Sequence, residues 1–484
     1  MRIKHVLSMA LLGTALLLLA GPGLAAPPVQ TPEPPDEAPG APGAAAEAYP
    51  FDLKEVISRS ALTAAPQGGI IEIATDDGFD ESQAAVALCA SDQYLVVYQS
   101  AGEIYGQRLE SDGDLLGDAF QIAEGPQAKS DPDVACDWLY NRFVVVWEYD
   151  FYGNGSDYDV RARGVYGGHQ ASGSQLYGIE LAVSETNSGV WEWDPAIACN
   201  SFDHTCLVAF AYSGTGGGDI YGQRVSVGGS SIGKEGARFT ISGYGARESN
   251  PDVAWGGYDD DYLVVWQYWH ETPSPHDRVF AGYVWDTNQA GSQVQTAGTY
   301  LIAPGSHDHD QIVPAAAYNP RTRQYLVVFE YDYFGNGTDR DIEALRLTPG
   351  GGSWGGVFSV AATDRDEQCP AVAFSGGTQS FSGGKGADQF LVTYRREVDS
   401  TDAFYAQAVK GTYATSGSQR EGAPVHMRTT EQWWHQWVDV VGSINNGRYV
   451  VVWNECTGGD LDCDVLGQMV APYGVYLPVM LDRP

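Results

Sequence analysis

Seven short apolar runs punctuate the chain. Each opens on an aromatic or apolar residue, continues through three mostly β-branched positions and closes on an aromatic ring. They are Tyr94–Tyr98 (YLVVY), Phe143–Trp147 (FVVVW), Cys206–Phe210 (CLVAF), Tyr262–Trp266 (YLVVW), Tyr325–Phe329 (YLVVF), Phe390–Tyr394 (FLVTY) and Tyr449–Trp453 (YVVVW), spaced 49 to 65 residues apart. Runs this short, rich in β-branched and aromatic residues and bounded by Gly, Asn and Asp, are strands rather than helices. A strand of the form PDVA precedes each run, at Pro132–Ala135, Pro195–Ala198, Pro251–Ala254, Pro314–Ala317 and Pro370–Ala373, with looser versions at Ala84–Ala87 and Val438–Val441. A strand like DIYGQRV follows it, at Ile104–Leu109, Asp159–Val165, Asp219–Val225, Asp341–Leu347, Ala403–Val409 and Asp464–Val470, and a short fourth strand (AFQIA, RFTIS) ends the unit.

Units of this length cannot each enclose a core, so they must stack. Seven units of four antiparallel strands predict an all-β fold, a seven-bladed β-propeller. The first strand-like segment, Gly69–Ala74 (GIIEIA), matches the fourth-strand phrase, not the first. It can complete the last blade and tie the ring shut, which removes two exposed sheet edges.

Outside the repeats, the chain begins with Arg2, Lys4 and His5, an apolar run from Val6 to Ala20, and the small-residue stretch GPGLAA. This is the three-part pattern of a secretory signal peptide over residues 1–26, with cleavage after Ala25 or Ala26. Residues 27–49, rich in Pro, Ala, Gly and Glu, read as a disordered linker, and the propeller is assigned to residues 50–484. Its tail, residues 474–484, reads as an edge strand, the alternative being a sorting tail. No later run is long enough to span a bilayer. The expected location is therefore secreted or on a bacterial cell surface.

The net charge of −35, from 62 acidic against 27 basic residues, argues against a nucleic-acid partner, whose phosphates require a basic face. It favours solubility or cation binding. The seven cysteines suit an oxidising compartment and leave at least one unpaired. Cys199 with Cys206 and Cys456 with Cys463 are close enough to form local staples, whereas Cys89, Cys136 and Cys369 stay unassigned.

The order P-x-V-A, YLVVW, DIYGQR resembles the repeats of secreted bacterial β-propellers. It is more distantly similar to the propeller repeats of the Tol-system periplasmic protein. The resemblance spans about residues 69–470 and implies the fold alone, because propellers host enzymes, lectins and scaffolds alike.

With the strands of each blade lettered A to D from the axis outward, the B–C and D–A loops emerge on one face. The A–B and C–D turns are polar tips. The other face collects Trp191, Glu192 and Trp193; Trp269 and His270; His307, Asp308, His309 and Asp310; Glu367; and Trp433, Trp434, His435 and Trp437. Aromatic rings beside carboxylates can grip sugars, the ring stacking on C–H faces while acids take the hydroxyls. Structural packing around the channel is the alternative for the same residues.

Individual motifs add less. Gly229–Gly233 matches the G-x-S-x-G of serine hydrolases but falls in a C–D hairpin, not at a strand-to-helix elbow. His270-Glu271 is not a zinc-protease helix, because Pro273 and Pro275 forbid one. His307 and His309 point to one side of an extended segment and are the transition-metal candidates. The phrases EYDFYGNGSDYDV (Glu148–Val160) and EYDYFGNGTDRDI (Glu330–Ile342) place Asp150 and Asp157, and Asp332 and Asp339, around Asn-Gly turns. Calcium is the one cofactor that this pattern offers; plain hairpin chemistry is the favoured alternative, since the closing bidentate Glu of an EF-hand loop is absent. The Ser-x-Asp-x-Gly-x-Thr-Trp box of sialidase propellers is also absent.

The sequence thus points to a ligand-binding propeller, its partner a carbohydrate or surface polymer on the B–C and D–A face. The rival readings are an extracellular hydrolase or lyase and a structural surface protein. Oligomeric state is not written in it.

Overall fold

The computed structural model describes residues 65–471 apart from several loop stretches, the longest being 286–299, 302–308 and 376–387. The expected signal peptide, linker and C-terminal tail lie outside the described residues. Among those described, seven four-stranded antiparallel sheets follow one another along the chain. Blade 1 begins at Glu81, blade 2 at Lys129, blade 3 at Glu192, blade 4 at Glu248, blade 5 at Gln311, blade 6 at Glu367 and blade 7 at Val438.

The pentads are the B strands. Neighbouring blades cover both of their faces, so they carry continuous apolar runs instead of an alternating pattern; Gln324–Asp332 is buried at every position. The A strands converge on the axis and therefore use small residues, such as Ala84, Ala85 and Ala87 or Ala371 and Ala373. The outermost strands are largely solvated, as Leu115–Gln121 shows. Blade 7 takes its D strand from the N-terminal side, Ala65–Ala74 pairing with Cys463–Ala471, which closes the ring as the sequence predicts. Blade 4 has a C strand, His276–Trp285, that the DIYGQRV phrase did not mark.

Repeat residues stitch blade to blade. The Arg of YGQR donates to a carbonyl of the next blade: Arg108 Nη1 to Gly167 at 3.1 Å, Arg224 Nη2 to Trp285 at 2.5 Å, and Arg346 Nη2 to Lys410. The Tyr that opens the pentad donates backwards, Tyr262 Oη to the Thr205 carbonyl at 2.9 Å and Tyr449 Oη to Gln389 at 2.8 Å. The repeated Gly of YGQR seats a ring from the outer strand: a Cβ on Gly222 would lie 2.7 Å from Phe239. Both expected local disulfides are present, and a third, Cys89–Cys136, joins blades 1 and 2. Cys369 is the free thiol.

Candidate functional site

The A strands do not run straight into the channel. Six of them carry a register shift at their third residue, where one extra residue bulges towards the axis. The bulged residues, Gln83, Asp131, Asp194, Asn250, Val313 and Cys369, all have φ between 49° and 54°. In five of the six the next residue is proline. Asp and Asn accept this left-handed conformation readily; the β-branched Val313 does so under strain.

Five of the bulged residues, all but Gln83, offer their own N–H to an acceptor on the preceding blade. Asp131 N–H donates to Gln83 Oε1 at 2.9 Å, Asp194 to Glu148 Oε1 at 2.9 Å, Asn250 to Asp194 Oδ2 at 3.0 Å and Cys369 to Glu330 Oε1 at 2.8 Å. The glutamates that open the two matching phrases thus brace the bulges of the next blade.

A second tier uses the aspartate of PDVA. Asp133, Asp252 and Asp439 each cap the following amide of their own strand, and each accepts an N–H from the next blade: Ile197 at 2.8 Å, Ala316 at 2.7 Å and Val86 at 2.8 Å. The last of these joins blade 7 to blade 1.

The bulged residues and these aspartates wall a cavity of about 270 Å³ at the end of the channel where the D–A loops arrive. Its lining includes Asp131, Asp133, Asp194, Asp252, Asp439 and Trp437, and no basic side chain among the described residues. Burial, reinforced by Asp439, pushes the Asp133 carboxyl up to about 8; burial, with a smaller push from Asp252, drives Asp439 to about 7. Oxygens of Asp131, Glu148 and Asp194 lie within 4.8 Å of one another. Burial and then the Glu148 charge raise Asp131 well above the usual carboxylate range, and burial raises Glu148 to about 7. Carboxyls held near neutrality in this way can donate as well as accept hydrogen bonds, and the trio could share protons or hold a hard cation.

Of the residues expected on this face, Trp437 alone among those described lines the cavity. It is 44% exposed, with its N–H on Asn454 Oδ1 at 2.8 Å. Trp191 is exposed but sits against Tyr158 of the blade 2 hairpin, ring centroids 6.1 Å apart. Trp193 and Trp269 are half-buried. Glu192 and Glu367, expected as polar partners of a ligand, are fully buried and paired with Arg238 at 2.8 Å and Arg396 at 2.7 Å. They occupy a repeat position, the first residue of the A strand and two before its bulge, also held by Glu81 and Glu248. Hydroxyls near the blade entry bind them there, as Ser184 binds Glu192, Ser242 binds Glu248 and Thr363 binds Glu367. His307, Asp308, Trp433, Trp434 and His435, and the side chain of His270, lie outside the described residues. His309 stacks on Tyr331 at 6.3 Å.

No protein-family model and no curated protein matches the chain. Among solved structures, a protein of unknown function from Dyadobacter fermentans is 10% identical over 85% of this chain and 99% of its own, with a TM-score of 0.49. The polysaccharide lyase Uly1 is 11% identical over 87% and 94%, TM-score 0.47. An α-L-arabinanase of Penicillium chrysogenum, complexed with arabinobiose, is 10% identical over 69% and 94%, TM-score 0.42. Likeness this remote carries no argument about function, so the chemistry must be argued from the channel itself.

That chemistry was legible only in part. The channel acids Asp131, Asp133, Asp194, Asp252 and Asp439 stand immediately before or after the proline position of the A-strand phrase, and this was the available signal.

Proposed function

We propose that the protein binds a carbohydrate or carbohydrate-like surface polymer, seating one sugar unit at the channel mouth. The observation that carries this reading is Trp437, an exposed indole at the edge of a cavity walled by carboxyl and amide groups. The ring offers a face to sugar C–H groups, while Asp131, Asp194, Gln83 and Asn250 serve hydroxyls, which need donors and acceptors at once. A cavity of about 270 Å³ sits just below the range of small-ligand sites, roughly 300–1,000 Å³, which favours a single terminal unit over a long chain segment.

A glycan panel probed with the full secreted chain tests this. Trp437→Ala, which keeps the backbone bond to Asn454, should weaken binding at least tenfold, about 1.4 kcal/mol. Trp191→Ala should change it by less than roughly twofold. Absence of binding across the panel, or equal loss in both variants, would overturn the reading.

Catalysis on the same ligand is the second reading, favoured by the close Asp131, Glu148 and Asp194 carboxyls with their raised proton affinities. A group near 7 can serve as a general acid at neutral pH. Release of new reducing ends or unsaturated products from a bound glycan, lost in Asp131→Asn while binding persists, would select it.

A further inference from the structure

The hairpin that follows Glu148 holds a second and separate concentration of acid. Asp150 ends the B strand of blade 2, and Asp157 immediately precedes Tyr158, its partner across the ladder. The chain between them turns through Gly153 and Gly155, both at positive φ. Asp150 Oδ2 accepts the Gly155 N–H at 2.8 Å, and the Phe151 N–H closes the loop onto the Asp157 carbonyl at 2.9 Å.

What the hairpin lacks is a partner for its charge. Asp157 is only 1% exposed, yet neither of its side-chain oxygens has a hydrogen-bond partner among the described residues. Asp150 is 5% exposed, and its Oδ1 is likewise unpartnered. Neither carboxylate is ion-paired among the described residues; the nearby Arg161 is engaged by Asp159 and Glu180, each at 3.7 Å, and by the Tyr149 ring. Burial and then the facing Asp150 charge push the Asp157 carboxyl up. Two buried carboxylates facing each other without a cation are costly to hold.

We propose that this hairpin binds a calcium ion, with Asp150 and Asp157 as its two charged ligands. Hard oxygen donors on a glycine-rich turn suit that ion, and turn carbonyls and water complete its larger coordination shell. The ion replaces the missing countercharge and pins the hairpin beside the channel, about which it says nothing directly.

The twin phrase in blade 5 provides an internal comparison. There both oxygens of Asp332 accept turn amides, from Gly335 at 2.8 Å and Gly337 at 2.7 Å. Asp339 is only half-buried, with one unpartnered oxygen (Oδ1) against two on Asp157, and Arg340 stands where blade 2 has Tyr158, its Nε 3.7 Å from Glu330. Blade 5 therefore differs from blade 2 in the second amide on its first aspartate and in the arginine charge beside its second.

The test uses the full chain stripped with EDTA and titrated with terbium, whose luminescence Tyr152 and Tyr158 can sensitise, followed by calcium competition. The expected result is a saturable site that calcium empties, at least tenfold weaker in Asp157→Asn and unchanged in Asp339→Asn. Thermal melting supplies a second readout independent of the probe. In EDTA, Asp157→Asn should melt above the wild type, because it removes the repulsion with Asp150. With calcium the order should reverse, since only the wild type gains from the ion. Unaltered terbium binding in Asp157→Asn, equal loss in Asp339→Asn, or a variant that melts below wild type in EDTA would each overturn the proposal.

Discussion

Val313 is the residue at which the repeat geometry conflicts most with side-chain preference. It occupies the bulge with φ of 49°, where the neighbouring blade uses Asn250 at the same angle. A β-branched residue pays for that conformation, and asparagine does not. Val313→Asn should therefore raise stability by about 1 kcal/mol, checked by denaturant midpoint at unchanged m-value; a decrease would mean that Val313 packing outweighs its backbone strain. The same ring explains why Cys369 should resist thiol reagents. Burial, reinforced by Glu330, pushes its thiol up to about 12, leaving little thiolate at neutral pH.

At the scale of single strands, the repeat phrase was readable because each of its positions has a fixed packing task. The pentads became B strands, PDVA the channel strands, and Gly69–Ala74 the closing strand of blade 7. The glycine of YGQR is a seat for an outer-strand ring, and Gly222→Ala should cost about 1–3 kcal/mol by forcing Phe239 aside. Calorimetric melting measures this, and a neutral result would show that the outer strand of blade 3 yields instead. Function was less legible for a related reason. Glu192 and Glu367 looked like ligand groups because they flank aromatic loops. Aligned by their place two residues before the bulge, they share a position with Glu81 and Glu248, and that position ties the blade entry together. Conversely, nothing in the sequence pattern singled out Asp131 and Asp194 beyond their place before a proline. Only the bulge, a tertiary feature, turns them towards the axis and within reach of Glu148.

For the whole molecule, the decisive quantity is the accumulation of carboxyls along one axis. Asp133 near 8, and Asp439 and Glu148 near 7, keep their protons in the folded ring, whereas in the unfolded chain they release them near pH 4. Between those limits the folded state binds more protons, so stability is full below about pH 4 and falls as pH rises towards 8. The net charge of −35 adds repulsion in the same direction. The melting temperature should therefore drop from pH 5 to pH 8. Asp133→Asn keeps an acceptor for the Ile197 amide, and it should flatten that slope and raise the value at pH 8. An unchanged slope would show that general repulsion, not the channel, sets the pH response.

Ring closure by Ala65–Ala74, the alternate Asp and Arg stitches and the bulges all serve to hold this axis open at one end. Diffraction from crystals soaked with the tightest-binding glycan of the panel tests that arrangement most directly. The expected density is a single sugar ring stacked on Trp437, with hydroxyls reaching Asp131 and Asp194. Sugar density on the outer hairpins at Trp191 with an empty channel mouth would contradict it.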